Sequence, residues 1–301
     1  MPELPDITIY LEALGSRVVG KVLEKIRIVD VFVLRTAMPP VDSLVGKRIV
    51  GLRRLGKRIL FHFEGDQWLV LHLMIAGRLQ WVEPGAKPYA RNVLAHFVFP
   101  TGTLTLTEAG TKHRASLHVV ADKAGLAAHD RGGIEVMTAS LEEFKTALLR
   151  ENHTLKRSLT APHLFSGIGN SYSDEILHAA RLSPVTLTTK LSEGEIARLH
   201  AATREALADG MDRLRKQTGA KFPAKVTAFL PEMAVHGKFG QPCPVCGTAV
   251  QRIRYAENEV NYCPRCQTGG KLLADRSLSR LLKGDWPRTI DEAEEQKGKS
   301  P

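Results

Sequence analysis

"CPVCGTAVQRIRYAENEVNYCPRC", residues 243–266, holds every cysteine of the chain. Cys243 and Cys246 form one C-x-x-C pair and Cys263 and Cys266 a second, with sixteen residues between them. That spacing is the pattern of a four-thiolate zinc site. Four unrelated core cysteines would have no reason to fall in two matched pairs. Because protein ligands fill all four positions, the metal is expected to be one structural Zn(2+), with no catalytic cofactor. Between the knuckles, "AVQRIRY" and "EVNYC" read as the two strands of a hairpin with "AEN" at its tip. A lone hairpin is marginal in water, and the zinc would fasten it.

The remainder of the 301 residues is long enough for two medium domains, and 43% hydrophobic content indicates a folded chain. Lys and Arg total 42 against 32 Asp and Glu, a formal charge of +10. A basic balance of this size suits a polyanionic partner, nucleic acid first, although a soluble protein can be basic without one. No secretory signal pattern opens the chain, and no run of about eighteen apolar residues predicts a membrane span. A cytoplasmic protein is expected, nucleoid-associated if bacterial, and in that compartment the cysteines would not be disulfides.

Working back from the cysteines, the chain changes character twice. Residues 5–19 place Ile7, Tyr10, Leu11, Leu14 and Val18 at helical spacing, with Pro5 suited to the first helical position and Asp6 to the positive end of the dipole. From about 22 to 120 come short alternating or apolar runs such as "RILFHFEG", "QWLVLHLMI" and "GTLTLTE". They predict a β-sandwich or barrel. "HDRGGIEVM" reads as a linker. Beyond it, Ser140 with Glu143 and Ser192 with Glu195 form capping boxes that open helices, the second running to about Gln217. The charged tail is expected to be disordered.

Two further stretches admit a plain and a functional reading. In "SGIGNSYSDE", Gly167 and Gly169 permit positive φ and a tight reversal, leaving backbone N–H groups and Asn170 to hold a phosphate. On these residues alone, a simple helix–helix turn is the better explanation of the glycines. "GKRIVGLRRLGKRIL" carries Lys47, Arg48, Arg53, Arg54, Lys57 and Arg58 with no acid among them. It is either a solvated strand face or a set of phosphate contacts.

Together these pieces resemble one family, the formamidopyrimidine-DNA glycosylase / endonuclease VIII group of base-excision repair enzymes. "PELPD" looks like the family's PELPE, "GKRIL" supplies its lysine as Lys57, "GIGNSYSDE" resembles its helix–two-turn–helix signature, and "CPVCG…YCPRCQ" its zinc finger. The resemblance covers nearly the whole chain. It implies an α+β fold: an N-terminal catalytic β-sandwich with flanking helices (1–132), a helix–two-turn–helix DNA-binding domain (133–235), a β-hairpin zinc finger (236–284) and a disordered tail (285–301). It implies a monomer that acts on damaged DNA and not on membranes. The activity implied is that of a bifunctional DNA glycosylase/AP lyase that excises oxidised bases and cleaves the strand by elimination, with DNA lying in a basic cleft.

The chemistry sits at the N-terminus. Initiator methionine is normally removed before a residue as small as proline, which would leave Pro2 a secondary amine. An α-amino group has a pKa of about 7.7–8 against about 10.4 for lysine, so much of it is nucleophilic at neutral pH. Attack on C1′ of a deoxynucleoside gives an iminium that acidifies the C2′ proton. Pro2, Glu3 and Lys57 are the expected catalytic residues, with Glu3 moving protons at the sugar. Lys57, Lys112, Arg114, Lys156, Asn170 and Asn258 are the expected DNA contacts, and Cys243, Cys246, Cys263 and Cys266 the metal ligands.

The chain also departs from the family. Asp6 replaces a glutamate, and Ile75 in "HLMIAG" stands where a void-filling methionine is usual. "EAGTKHRAS" replaces the loop that supplies an Arg and a Phe to the duplex gap, with Lys112, His113 or Arg114 as substitutes. Asn258 replaces the finger-tip arginine. An alternative is therefore a non-catalytic binder of damaged DNA on the same fold. A zinc-ribbon protein of transcription or translation would explain the cysteines and the charge, but not the N-terminus.

Overall fold

Glu3 caps helix α1 (Leu4–Val18), which begins one residue earlier than Pro5 had suggested. Its apolar stripe, Ile7, Tyr10, Leu14 and Val18, is buried as the 3.6-residue period requires. We describe the protein from a computed structural model covering residues 1–87, 89–110, 112–223, 226–227, 229–255, 258–274, 287–292 and 295. The chain divides into two compact units, residues 1–132 with 208–228, and residues 133–207 with 229 onward. Among the described residues no helix is long and apolar enough to cross a membrane.

The first unit is a β-sandwich. Its strands are β1 (Lys25–Ile28), β2 (Ile49–Leu55), β3 (Arg58–Phe63), β4 (Gln67–His72), β5 (Gly77–Val82), β6 (Val93–Phe99), β7 (Gly102–Glu108) and β8 (Ser116–Val120). They form two antiparallel sheets ordered β1-β6-β7-β5 and β2-β3-β4-β8. Period-2 alternation turns Ile59, Phe61, Phe63, Leu69 and Leu71 of one sheet toward Leu79, Phe97, Leu104 and Leu106 of the other. One core results, and α1 packs into it. This settles the choice between sandwich and barrel. The outer face of the second sheet carries a smaller cluster, Leu60, Trp68, Val70, Val120 and Leu126.

The second unit holds α2 (Leu141–Leu149), α3 (Leu155–Thr160), α4 (Asn170–Ala179), most of α5 (Glu193–Thr218), the hairpin β9 (Gln251–Tyr255) and β10 (Asn258–Tyr262), and α6 (Pro264–Thr268). Both capping boxes form. Ser140 N–H donates to Glu143 at 2.7 Å, and Ser192 N–H to Glu195 at 2.9 Å.

Three boundaries differ from the expected ones. Residues 208–228 cluster with the sandwich, because Arg215 pairs with Glu12 at 2.7 Å and Phe222 packs on Tyr10 and Trp81. The zinc hairpin is not a separate body. Gln267 donates to Leu182 O at 2.9 Å, and the Glu175 carboxylate accepts N–H groups of Ala234, Val235 and His236, so the hairpin is fastened to the helices. The expected disordered tail lies mostly outside the described residues, but residues 287–292 are ordered. Leu272 N–H donates to Arg288 O at 2.8 Å, and Ile290 is buried.

Candidate functional site

At the amino terminus, Pro2 and Glu3 are buried at the N-terminal end of α1. Glu3 and Asp6 make a reciprocal capping box in which Glu3 N–H donates to Asp6 Oδ2 at 2.8 Å. Burial of Asp6, with the like charge of Glu3 beside it, pushes its carboxyl up to about 7 against the opposing hydrogen bond from Glu3 N–H. The Met1 α-amine is pulled below its ordinary value by burial, helped by the fields of Arg78 and Lys57 and opposed by those of Glu3 and Asp6. Glu3 and Lys57, expected with Pro2 in the catalytic group, thus each lie within electrostatic reach of the Met1 α-amine.

Lys57 follows Gly56, whose φ of 60° makes the turn between β2 and β3. The rest of the basic run scatters, as a strand must scatter it. Lys47 donates to Gln67 at 2.6 Å and Arg54 to Gly56 O at 2.8 Å.

Arg78 went unpredicted. It opens β5, and its guanidinium donates to the carbonyls of Ile75 at 3.1 Å and Gly77 at 2.7 Å. An arginine after a glycine carries no local signal of this placement. A Cβ at Gly77 would lie 2.2 Å from Leu73 O, so the close turn through Met74 and Ile75 requires glycine. That turn presents Ile75, 53% exposed, at its tip. The buried Tyr10 hydroxyl accepts Leu79 N–H at 3.3 Å and ties the strand to α1.

In the loop after β7, buried Glu108 accepts N–H groups of Arg114 and Ala115, both at 2.9 Å. His113 hydrogen bonds to Asp30 at 2.7 Å, holding that carboxyl below its usual range. Lys112, His113 and Arg114 are all exposed.

In the second unit the helix turn differs from expectation at two residues. Gly167 has φ 87°, but Gly169 is extended at −130° and caps α4 without needing to be glycine for its φ. Lys156, expected at the DNA, is 9% exposed and turned inward. Its ammonium donates to Asp174 Oδ1 at 2.5 Å and Asn170 O at 2.6 Å. The second oxygen of Asp174 bonds His236 Nδ1 at 2.8 Å. Charge buried this deeply must be paired, so Lys156 is corrected to a residue that holds the turn. Asn170 opens α4 and donates its side-chain amide to Glu259 O at 3.0 Å, joining the turn to the zinc hairpin.

The four cysteine sulfurs lie within 4.8 Å of one another, as one tetrahedral zinc ion requires. Cys263 caps α6, so two knuckles of different make, a turn at 243–247 and a helix start at 263–266, close on one point. This is the structural zinc site. Asn258 begins β10 opposite Tyr255, but its side chain lies outside the described residues. Across the same hairpin Arg254 opposes Glu259, their side chains 3.6 Å apart. It is a cation near the tip that was not singled out in the sequence.

Three family models match the chain in succession. The model of the formamidopyrimidine-DNA glycosylase N-terminal domain matches residues 1–115, that of the H2TH domain 135–221, and that of the zinc finger found in FPG and IleRS 240–269. A formamidopyrimidine-DNA glycosylase of Heliobacterium modesticaldum is 32% identical over 282 residues, covering 89% of this chain and 100% of the relative. One from Variovorax paradoxus is 31% identical over 277 residues, with the same coverage. The Lactococcus lactis protein solved in complex with DNA containing an abasic site aligns with a TM-score of 0.78 at 25% identity, covering 88% of this chain and 99% of that one. With relatives matched along their full length and the sandwich, helical turn and thiolate quartet in family order, the chain belongs to the formamidopyrimidine-DNA glycosylase family.

Proposed function

We propose that the protein is a bifunctional DNA glycosylase/AP lyase that acts through the secondary amine of Pro2. The observation that carries this reading is the burial of Pro2 and Glu3 at the positive end of α1, with Lys57 and Arg78 in electrostatic reach. Once Met1 is removed, burial and two nearby cations favour the uncharged amine, as they do for the α-amine one residue earlier. The Pro2 nitrogen attacks C1′ as the glycosidic bond breaks, and the base leaves with the bonding pair and takes up the proton that the nitrogen sheds. Opening of the sugar gives an iminium, with Glu3 supplying the proton to O4′. Loss of the C2′ proton then expels the 3′ phosphate with the C3′–O pair, and water hydrolyses the iminium and returns the amine.

DNA as the ligand is supported by the +10 charge and by the abasic-site complex of the Lactococcus lactis relative. Lys57, Lys112, Arg114 and Asn170 are the residues we assign to the phosphate backbone. Because Asn258 has no fixed charge, cleavage stops mainly after β-elimination and leaves an unsaturated aldehyde on the 3′ end.

Borohydride reduction in the presence of DNA carrying an abasic site should trap the protein covalently. A form with one extra residue before Pro2 has an amide in place of the amine and should not be trapped. Equal trapping of both forms would refute the assignment. DNA binding without trapping by protein whose Met1 is absent would favour the non-catalytic binder.

A further inference from the structure

The outer face of the β2-β3-β4-β8 sheet carries a cationic group that the amino-terminal site does not use. Strand register sets Arg58 opposite His72 and His72 opposite Ser116, while Val70 faces both Leu60 and His118. Alternation therefore places Arg58, His72 and His118 at one end of a single face, above the apolar cluster of Leu60 and Val70. The 3-10 turn Ala124–His129 brings the His129 ring edge-on to that of His118, with centroids 4.7 Å apart. Arg131 follows, and the field of its guanidinium reaches Arg58. Arg35 is anchored beside β8 by its N–H to Leu117 O at 2.8 Å.

Three guanidiniums and three imidazoles thus share a small area. The carboxylate whose field reaches Arg58 is Asp130, which already accepts Gly132 N–H at 2.8 Å. Partial burial and the neighbouring cations hold His72 and His118 down to about 4, so both rings are neutral N–H donors at neutral pH. Three guanidiniums gathered around one carboxylate repel one another, and a bound anion relieves that repulsion. Guanidinium forks match phosphate oxygens in geometry as well as charge. The group is also continuous with the amino-terminal site, since the field of Lys57 reaches both His72 and the N-terminus.

We propose that Arg58 and Arg131, with the His118–His129 ring pair, form a second phosphate site that holds the DNA backbone beyond the nucleotide at Pro2. This rests on the reading of the protein as a DNA-binding enzyme. The site takes a phosphodiester and reads no base, so it adds affinity and register but no lesion preference.

The test is the salt dependence of affinity for a duplex carrying a stable tetrahydrofuran abasic analogue. Arg58→Gln and Arg131→Gln should each weaken binding and lower the slope of log K against log salt by about 0.9 for each phosphate no longer neutralised. Damaged and undamaged duplexes should weaken by the same factor. Lys47→Gln, which removes an equal charge at the opposite end of the sheet, should leave the slope unchanged. Unaltered melting temperatures confirm that the variants fold. Wild-type binding with an unchanged slope in the double Arg variant would overturn this inference alone, whereas no binding by the wild-type protein would overturn the functional reading beneath it.

Discussion

Lys156→Met separates a buried strut from a DNA contact. In the folded protein the Asp174 side chain is fully buried and receives Lys156 Nζ at 2.5 Å, His236 Nδ1 at 2.8 Å and Asn261 Nδ2 at 3.5 Å. Methionine keeps the bulk of the lysine stem and removes its charge, leaving a buried carboxylate with two side-chain donors. Breaking a buried pair by deleting one partner costs about 3–5 kcal/mol. Because His236 and Asn261 remain, the low end applies, about 3 kcal/mol. For a unit of this size each kcal/mol is worth roughly 2–4 °C, so the unit should melt roughly 6–12 °C lower. Scanning calorimetry on zinc-loaded protein reads this directly. Adding Asp174→Asn removes the uncompensated charge while leaving an oxygen to accept from His236, and should recover part of the loss. A Lys156→Met protein that melts like wild type but binds DNA far more weakly would make Lys156 a DNA contact and not a buried strut.

Three other outcomes follow from the same geometry. Asp6 has a folded pKa of about 7 against an ordinary 3.8, so between those values the folded state keeps a proton that the unfolded chain has released. Stability must then fall as pH rises through that window, and Asp6→Asn should flatten the decline in urea midpoints between about pH 5 and 7.5. Gly77→Ala sets a methyl 2.2 Å from Leu73 O and should destabilise the sandwich by about 1–3 kcal/mol, measured by urea unfolding. Cys263→Ser opens a closed four-thiolate site, so metal analysis should find the zinc lost and exchange protection gone from β9 and β10, with the sandwich strands unaffected.

What the sequence disclosed and what it withheld divide along the range of the interactions. Local chemistry was legible. The capping boxes at Ser140 and Ser192 involve groups three residues apart, and the cysteine pairs encode their own ligand geometry. The period-2 runs led to the sandwich because each strand buries one face in a shared core. Long-range pairing was not legible. Lys156 reads as a DNA contact until folding brings Asp174 and His236 beside it from eighteen and eighty residues away. Arg78 and Glu108 gain their roles from turns whose geometry no periodicity encodes. The return of residues 287–292 to Gly270 and Leu272 was hidden because a charged tail conceals a single buried residue, Ile290.

Digestion of the borohydride-reduced complex with abasic DNA, followed by tandem mass spectrometry of the sugar remnant, identifies the nucleophile. The adduct should lie on the N-terminal peptide, on Pro2 of chains that have lost Met1. An adduct on a lysine side chain such as Lys57, or on chains that retain Met1, would contradict Pro2 as the nucleophile.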